Sequence, residues 1–128
     1  MASEFRTPLK RVRGLGSAKD GTQHFWHQRV TAYANVALTL FLVGLVVSLS
    51  GQDYSGARAA LGSMPVAIGL LALILAGVWH MKLGMQVIIE DYVHGEGAKA
   101  ASLAALTIVL AVLAITCTVS ILMVAIGV

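Results

Sequence analysis

Residues 63–92 read SMPVAIGLLALILAGVWHMKLGMQVIIEDY, an apolar run interrupted by His80, Lys82 and Gln86 and closed by the acidic pair Glu90 and Asp91. About 20 apolar residues at ~1.5 Å each cross the ~30 Å hydrocarbon core of a bilayer, so the run is long enough to span a membrane. Pro65 falls where a first helical turn has no use for the missing N–H, and Ser63 precedes it at a capping position. A transmembrane helix over about 64–92 is the expectation.

Two flanking stretches repeat the pattern. Residues 30–49, VTAYANVALTLFLVGLVVSL, carry no charge, and neither does any residue from Ala100 to Val128. They predict helices over about 30–50 and 99–127. Gly51, Asp53, Ser55, Gly56 and Gly62 supply turn residues between the first two spans, and His94-Gly95-Glu96-Gly97 separates the last two. The expected fold class is therefore all-α, an integral membrane protein of three transmembrane helices. Residues 1–29 form a basic N-terminal arm and residues 30–128 the membrane domain.

Composition agrees: 58% of the 128 residues are hydrophobic and 12% charged, against about a quarter charged in an ordinary globular domain. A soluble core of this size cannot hide so much apolar surface. The single cysteine, Cys117, lies inside the third apolar run, which excludes a disulfide framework, a CxxC motif and a cysteine zinc site. The net charge of +3 is a matter of topology rather than of nucleic acid. Six of the nine Lys and Arg residues (Arg6, Lys10, Arg11, Arg13, Lys19, Arg29) precede the first span and Lys99 precedes the third, whereas Arg58 stands alone in the loop between the first two. Basic residues stay on the cytoplasmic or matrix side, so the N-terminus and the His94 loop belong there. Phe25, Trp26 and Tyr92 then fall at one interface, where amphipathic rings are favoured. No secretory cleavage pattern or convincing transit peptide is evident, which points to a bacterial inner membrane before a mitochondrial one.

Ionisable side chains at membrane depth cost about 2.5–3.5 kcal/mol for Lys or Asp on insertion scales, so each calls for a partner or a task. His80 lies 12 residues before Tyr92, hence ~18 Å along the axis and near mid-bilayer. Taken alone it fits a cross-helix hydrogen bond as well as a ligand. At about 100° per residue, Gly84, Val87 and Asp91 return to within about 40° of it, placing an imidazole, a small residue and a carboxylate on one stripe. A flat ring fits against that stripe, and haem iron is commonly held by His, although Gly84 alone also suits close helix packing. Glu90 and Asp91 put negative charge at a helix C-terminus, against the macrodipole, beside Tyr92. Tyr92 can donate a hydrogen bond to a quinone carbonyl and Asp91 can relay protons, while an interfacial tyrosine beside solvated acids is the bland alternative. Lys82 points about 200° from His80, so it is expected to snorkel or to pair with another subunit.

The stretch His80-Met81-Lys82-Leu83-Gly84-Met85, followed after five residues by Asp91-Tyr92-Val93, resembles the His-x3-Gly-Met-x5-Asp-Tyr-Val segment of the hydrophobic membrane anchors of succinate dehydrogenase, respiratory complex II. Residues 21–32, GTQHFWHQRVTA, are similar to the segment through which these anchors enter their first helix, with its Arg-x-Thr-Ala core at Arg29, Thr31 and Ala32. The resemblance implies that His80 is an axial ligand of haem b, that Gly84 gives the macrocycle room, and that Tyr92 with Asp91 borders the ubiquinone site. It also implies a role at the propionates or quinone pocket for Arg29 and, nearby, for His24 or His27. The chain itself would perform no succinate chemistry. It would anchor a flavoprotein and an iron–sulfur subunit and pass their electrons to quinone.

A six-coordinate haem needs two axial ligands at similar depth, and His80 has no evident mate in this chain, since His24, His27 and His94 lie at the interface. The second ligand is expected from a homologous cytochrome b anchor chain. The basic arm from Arg6 to Lys19 suits contact with the soluble subunits. Two alternatives stay open on these residues: an anchor of the related fumarate reductase, and a haem-free structural or transport protein in which His80, Lys82 and Asp91 form a polar line.

Overall fold

The computed structural model describes residues 19–127. These form four helices: α1 (Lys19–Leu49), α2 (Tyr54–Gly62), α3 (Met64–Tyr92) and α4 (Glu96–Ile126). Three of them, α1, α3 and α4, are long and apolar enough to cross a membrane. The all-α, three-span expectation holds.

Two boundaries depart from it. Helix α1 begins at Lys19, 11 residues before Val30 where the uncharged run starts, so His24, His27 and Arg29 ride on the same helix as the span. Hydropathy registers where a helix enters lipid, and the polar turns before that point carry no such signal. The turn-rich segment after the first span also contains α2, nine residues long. Asp53 starts it: the carboxylate accepts from the Gly56 N–H (2.8 Å) and from the Ser55 hydroxyl (2.8 Å), satisfying a donor that the helix leaves free. Those bonds, the Gly56 N–H foremost, hold the Asp53 carboxyl below the usual carboxylate range.

At Ser63 the backbone is extended as in an N-cap and Pro65 occupies the first turn of α3, as expected, but the Ser63 hydroxyl turns back to donate to the Ala60 carbonyl (2.7 Å). The same back-bonding occurs at Ser48, Thr107 and Ser120, each donating to a carbonyl three or four residues earlier. In lipid this gives every such hydroxyl an acceptor within its own helix. Helix α4 ends at Gly127, whose φ of 82° is left-handed and whose N–H reaches the carbonyls of Met123 and Val124.

Helix α3 is central. It packs against α1 on one side and α4 on the other, while α1 and α4 do not meet. Partners along α1 and α3 run in opposite order, Phe41 facing Gly69 and Gln28 facing Gly84, so the two helices are antiparallel. At Gly69 a Cβ would stand 2.6 Å from the Phe41 ring, so glycine is what lets α1 approach here. Among the described residues only Leu45, Ala67, Leu83 and Leu110 are buried. An open layer of three helices with so little interior depends on lipid and partner chains to cover its faces. Residues 1–18 of the basic arm, Arg6, Lys10, Arg11 and Arg13 among them, lie outside the described residues.

Replacing Asp53 with Ala should speed amide exchange at Gly56 and Ala57, whereas Asp53→Asn, which keeps the acceptor, should not. A carboxyl held below its unfolded value contributes above the ordinary carboxylate range and loses that contribution as pH falls through its folded value. Protection of α2 in the wild type should therefore weaken on acidification, and the Asn variant should lack that pH dependence.

Candidate functional site

The antiparallel crossing of α1 on α3 brings Thr31 to His80. The Thr31 Oγ1 lies 3.0 Å from His80 Nδ1, 2.7 Å from the His27 carbonyl oxygen and 3.1 Å from that of Gln28. This bond joins residues 49 apart in sequence. It is the single side-chain hydrogen bond between α1 and α3 among the described residues. His80 is half-buried, and its Nε2 has no hydrogen-bond partner there and is not among the buried unsatisfied atoms, so that nitrogen is accessible.

His80 lines a groove of about 470 Å³ with Ala32, Asn35, Val36, Thr39 and Leu40. Residues 32, 36 and 40 recur every four, with Asn35 and Thr39 beside them, so one face of α1 makes the wall. Asn35 Oδ1 is buried and unpartnered. An orphaned buried acceptor at membrane depth is costly and calls for a donor that the described chain does not supply. One turn from His80 toward the C-terminal end of α3, a Cβ on Gly84 would meet only the Gln28 side chain, at 3.9 Å. Close approach of α1 therefore does not require this glycine, in contrast to Gly69.

His27 stands edge-on to Trp79, ring centroids 6.2 Å apart. The helical extension of α1 thus puts His27, rather than His24, beside the His80 turn. Trp79 is about half exposed, and the Lys82 ammonium lies 5.8 Å from its ring centroid, within cation–π reach. Lys82 so has a partner in its own helix, away from the groove.

Arg29, Asp91 and Tyr92 all lie at the end of the layer where α1 begins and α3 stops. Arg29 is exposed and stacks over Phe25, 5.0 Å from the ring centroid. Asp91 and Tyr92 are exposed and bonded to no side chain among the described residues, whereas the neighbouring Glu90 accepts from Gln86 at 2.8 Å. A site that uses Tyr92 and Asp91 needs its other wall from outside the described residues. A second groove, about 560 Å³, lies at the opposite end between α2 and the close of α4, lined by Tyr54 and Arg58 among others, far from His80.

Among the described residues no three His, Cys, Asp or Glu side chains gather to hold a metal ion. A lone accessible imidazole nitrogen over an apolar groove does not suit a bare ion. It suits iron whose equatorial positions are already filled by a flat apolar macrocycle, so the residues present fit a haem edge. Hydropathy and motif spacing in α3 pointed to His80 and Gly84. Thr31 and Asn35 were missed, although a polar pair four apart in an otherwise apolar span is a signal of a buried polar face.

Residues 3–123 match the family model described as succinate dehydrogenase/fumarate reductase transmembrane subunit. The chain is 35% identical over 95 residues to the succinate dehydrogenase hydrophobic membrane anchor subunit of Paracoccus denitrificans, covering 74% of each. It is 33% identical over 93 residues to that of Rickettsia bellii, covering 73% of this chain and 74% of the relative. A succinate dehydrogenase membrane anchor subunit of Reclinomonas americana is 33% identical over 90 residues, 66% of this chain and 73% of the relative. No solved structure matches.

Proposed function

The chain belongs to the succinate dehydrogenase/fumarate reductase transmembrane subunit family, as a membrane anchor, and on that premise we propose that it helps hold haem b and forms one wall of a ubiquinone-reduction site. The observation that carries this is the accessible Nε2 of His80 at mid-span, its other ring nitrogen tied to Thr31 and an apolar groove beside it. As an anchor, the chain is part of a multi-subunit oxidoreductase complex. The specific companions we propose are a homologous cytochrome b anchor, an iron–sulfur protein and a flavoprotein.

Haem, when bound, supplies a one-electron store near the quinone. His80 would bind iron through Nε2, and Gly84 would keep the adjacent turn free of side-chain bulk. A second ligand to the group would come from the companion anchor, and so would a donor for Asn35 Oδ1, which the described residues leave unanswered. At the cytoplasmic end Tyr92 would donate its phenolic hydrogen to a quinone carbonyl and Asp91 would take protons from the same side, with Arg29 adding positive charge nearby. Succinate oxidation belongs to the soluble subunits, docked over this end. The membrane would be a bacterial inner membrane, N-terminus cytoplasmic.

In the assembled complex, His80→Tyr should abolish or alter the haem b signal in reduced-minus-oxidised absorbance, and an unchanged spectrum would remove the ligand assignment. Gly84→Leu places its Cβ where, among the described residues, only the Gln28 side chain comes within 4 Å. It should insert and assemble normally yet retain less haem, and full haem occupancy would show that the stripe does not face the macrocycle. Tyr92→Phe should slow quinone reduction by roughly 2- to 10-fold, the worth of one neutral hydrogen bond, while succinate oxidation with an artificial acceptor stays intact. Equal loss of both activities would count against the pocket.

A further inference from the structure

We propose that Thr31 is a positioning residue that fixes the tautomer and ring orientation of His80, holding Nδ1 protonated so that Nε2 presents its lone pair to the groove. This rests on the reading of His80 as a haem ligand and goes one shell beyond it.

The Thr31 hydroxyl has one hydrogen and three neighbours, His27 O at 2.7 Å, Gln28 O at 3.1 Å and His80 Nδ1 at 3.0 Å. The carbonyls accept only, whereas an imidazole nitrogen can take either part. If the hydroxyl donated to Nδ1, its oxygen would face the His27 carbonyl at 2.7 Å with no hydrogen between two lone pairs, a repulsive contact. If it donates to the His27 carbonyl, as threonine hydroxyls do within helices, its lone pair faces Nδ1 and takes that nitrogen's hydrogen. The second arrangement satisfies every group. The tautomer follows from this network, since neutral imidazole carries one ring hydrogen: Nδ1–H donates to Thr31, and Nε2 is the base.

The chain His80 Nδ1–H to Thr31 Oγ1 to His27 O hands the ligand's orientation to the backbone of α1. Metal-bound histidines ordinarily donate their second N–H to an oxygen in this way, which fixes the ring and raises its basicity toward the metal. Here the oxygen is a hydroxyl, and the carbonyl behind it polarises it further. A more basic axial imidazole favours ferric over ferrous iron, so Thr31 should lower the haem midpoint potential and slow haem loss.

The test uses the intact complex purified in mild detergent, with Thr31→Val, which keeps shape and removes the hydroxyl, Thr31→Ala as a second deletion and Thr31→Ser as the restoring variant. The readouts are haem content, the midpoint potential from a redox titration, and the low-spin ferric electron paramagnetic resonance spectrum, whose g-anisotropy reports ring orientation. We expect the Val and Ala variants to raise the midpoint potential, broaden or shift the ferric signal, and lose haem faster, on the order of tenfold. Thr31→Ser should follow the wild type. Wild-type potential and spectrum in the Val or Ala variant, or a Ser variant that behaves like them, would overturn the inference. So would failure of both deletions to assemble where His80→Tyr assembles, because the hydroxyl would then serve the fold. An altered haem in His80→Tyr beside an unaltered one in Thr31→Val would leave the ligand assignment standing and remove only the role of Thr31, while an unaltered haem in His80→Tyr would remove the ligand assignment itself.

Discussion

The Thr31 to His80 hydrogen bond is the polar contact on which the arrangement of α1 and α3 turns. In lipid there is little hydrophobic drive between helices, and close packing and the occasional cross-helix hydrogen bond decide register. At one end of the crossing Gly69 lets the Phe41 ring sit against the α3 backbone. Near its middle the Thr31 bond sets the rotation of His80. Sliding either helix by a turn would separate these pairs together, so the contact that holds the helices also aims the imidazole.

From that contact follows the division of labour along the molecule. The face of α1 beside His80 is a wall of mainly small and aliphatic residues in which Asn35 Oδ1 is unanswered among the described residues, and α4 stays on the opposite side of α3, out of the groove. The layer is left open where a macrocycle and a second anchor would close it. At the end where α1 begins and α3 stops, by contrast, Tyr92 and Asp91 stand exposed and bonded to no side chain among the described residues.

The three spans were legible in sequence because their runs of apolar residues are long and uncharged, and hydropathy needs no knowledge of neighbours. His80 and Gly84 were legible for a related reason: a titratable group at mid-span breaks the pattern, and helical angle alone places Gly84 beside it. The early start of α1 was not legible, since turns outside lipid carry no hydropathy signal. Nor was α2, whose glycines read as turn punctuation although Asp53 caps a short helix. The partnership of Thr31 with His80 depends on the crossing of two helices, which no local spacing encodes. The same crossing sets His27 edge-on to Trp79, a contact that likewise depends on two helices meeting.

The most direct measurement is the haem and protein content of the complex captured in mild detergent through a tag on the wild-type chain. The account requires a b-type haem, axially bis-histidine by its ferric resonance spectrum, together with a flavoprotein, an iron–sulfur protein and a second anchor. A complex that carries the flavoprotein but no b-type haem would contradict it.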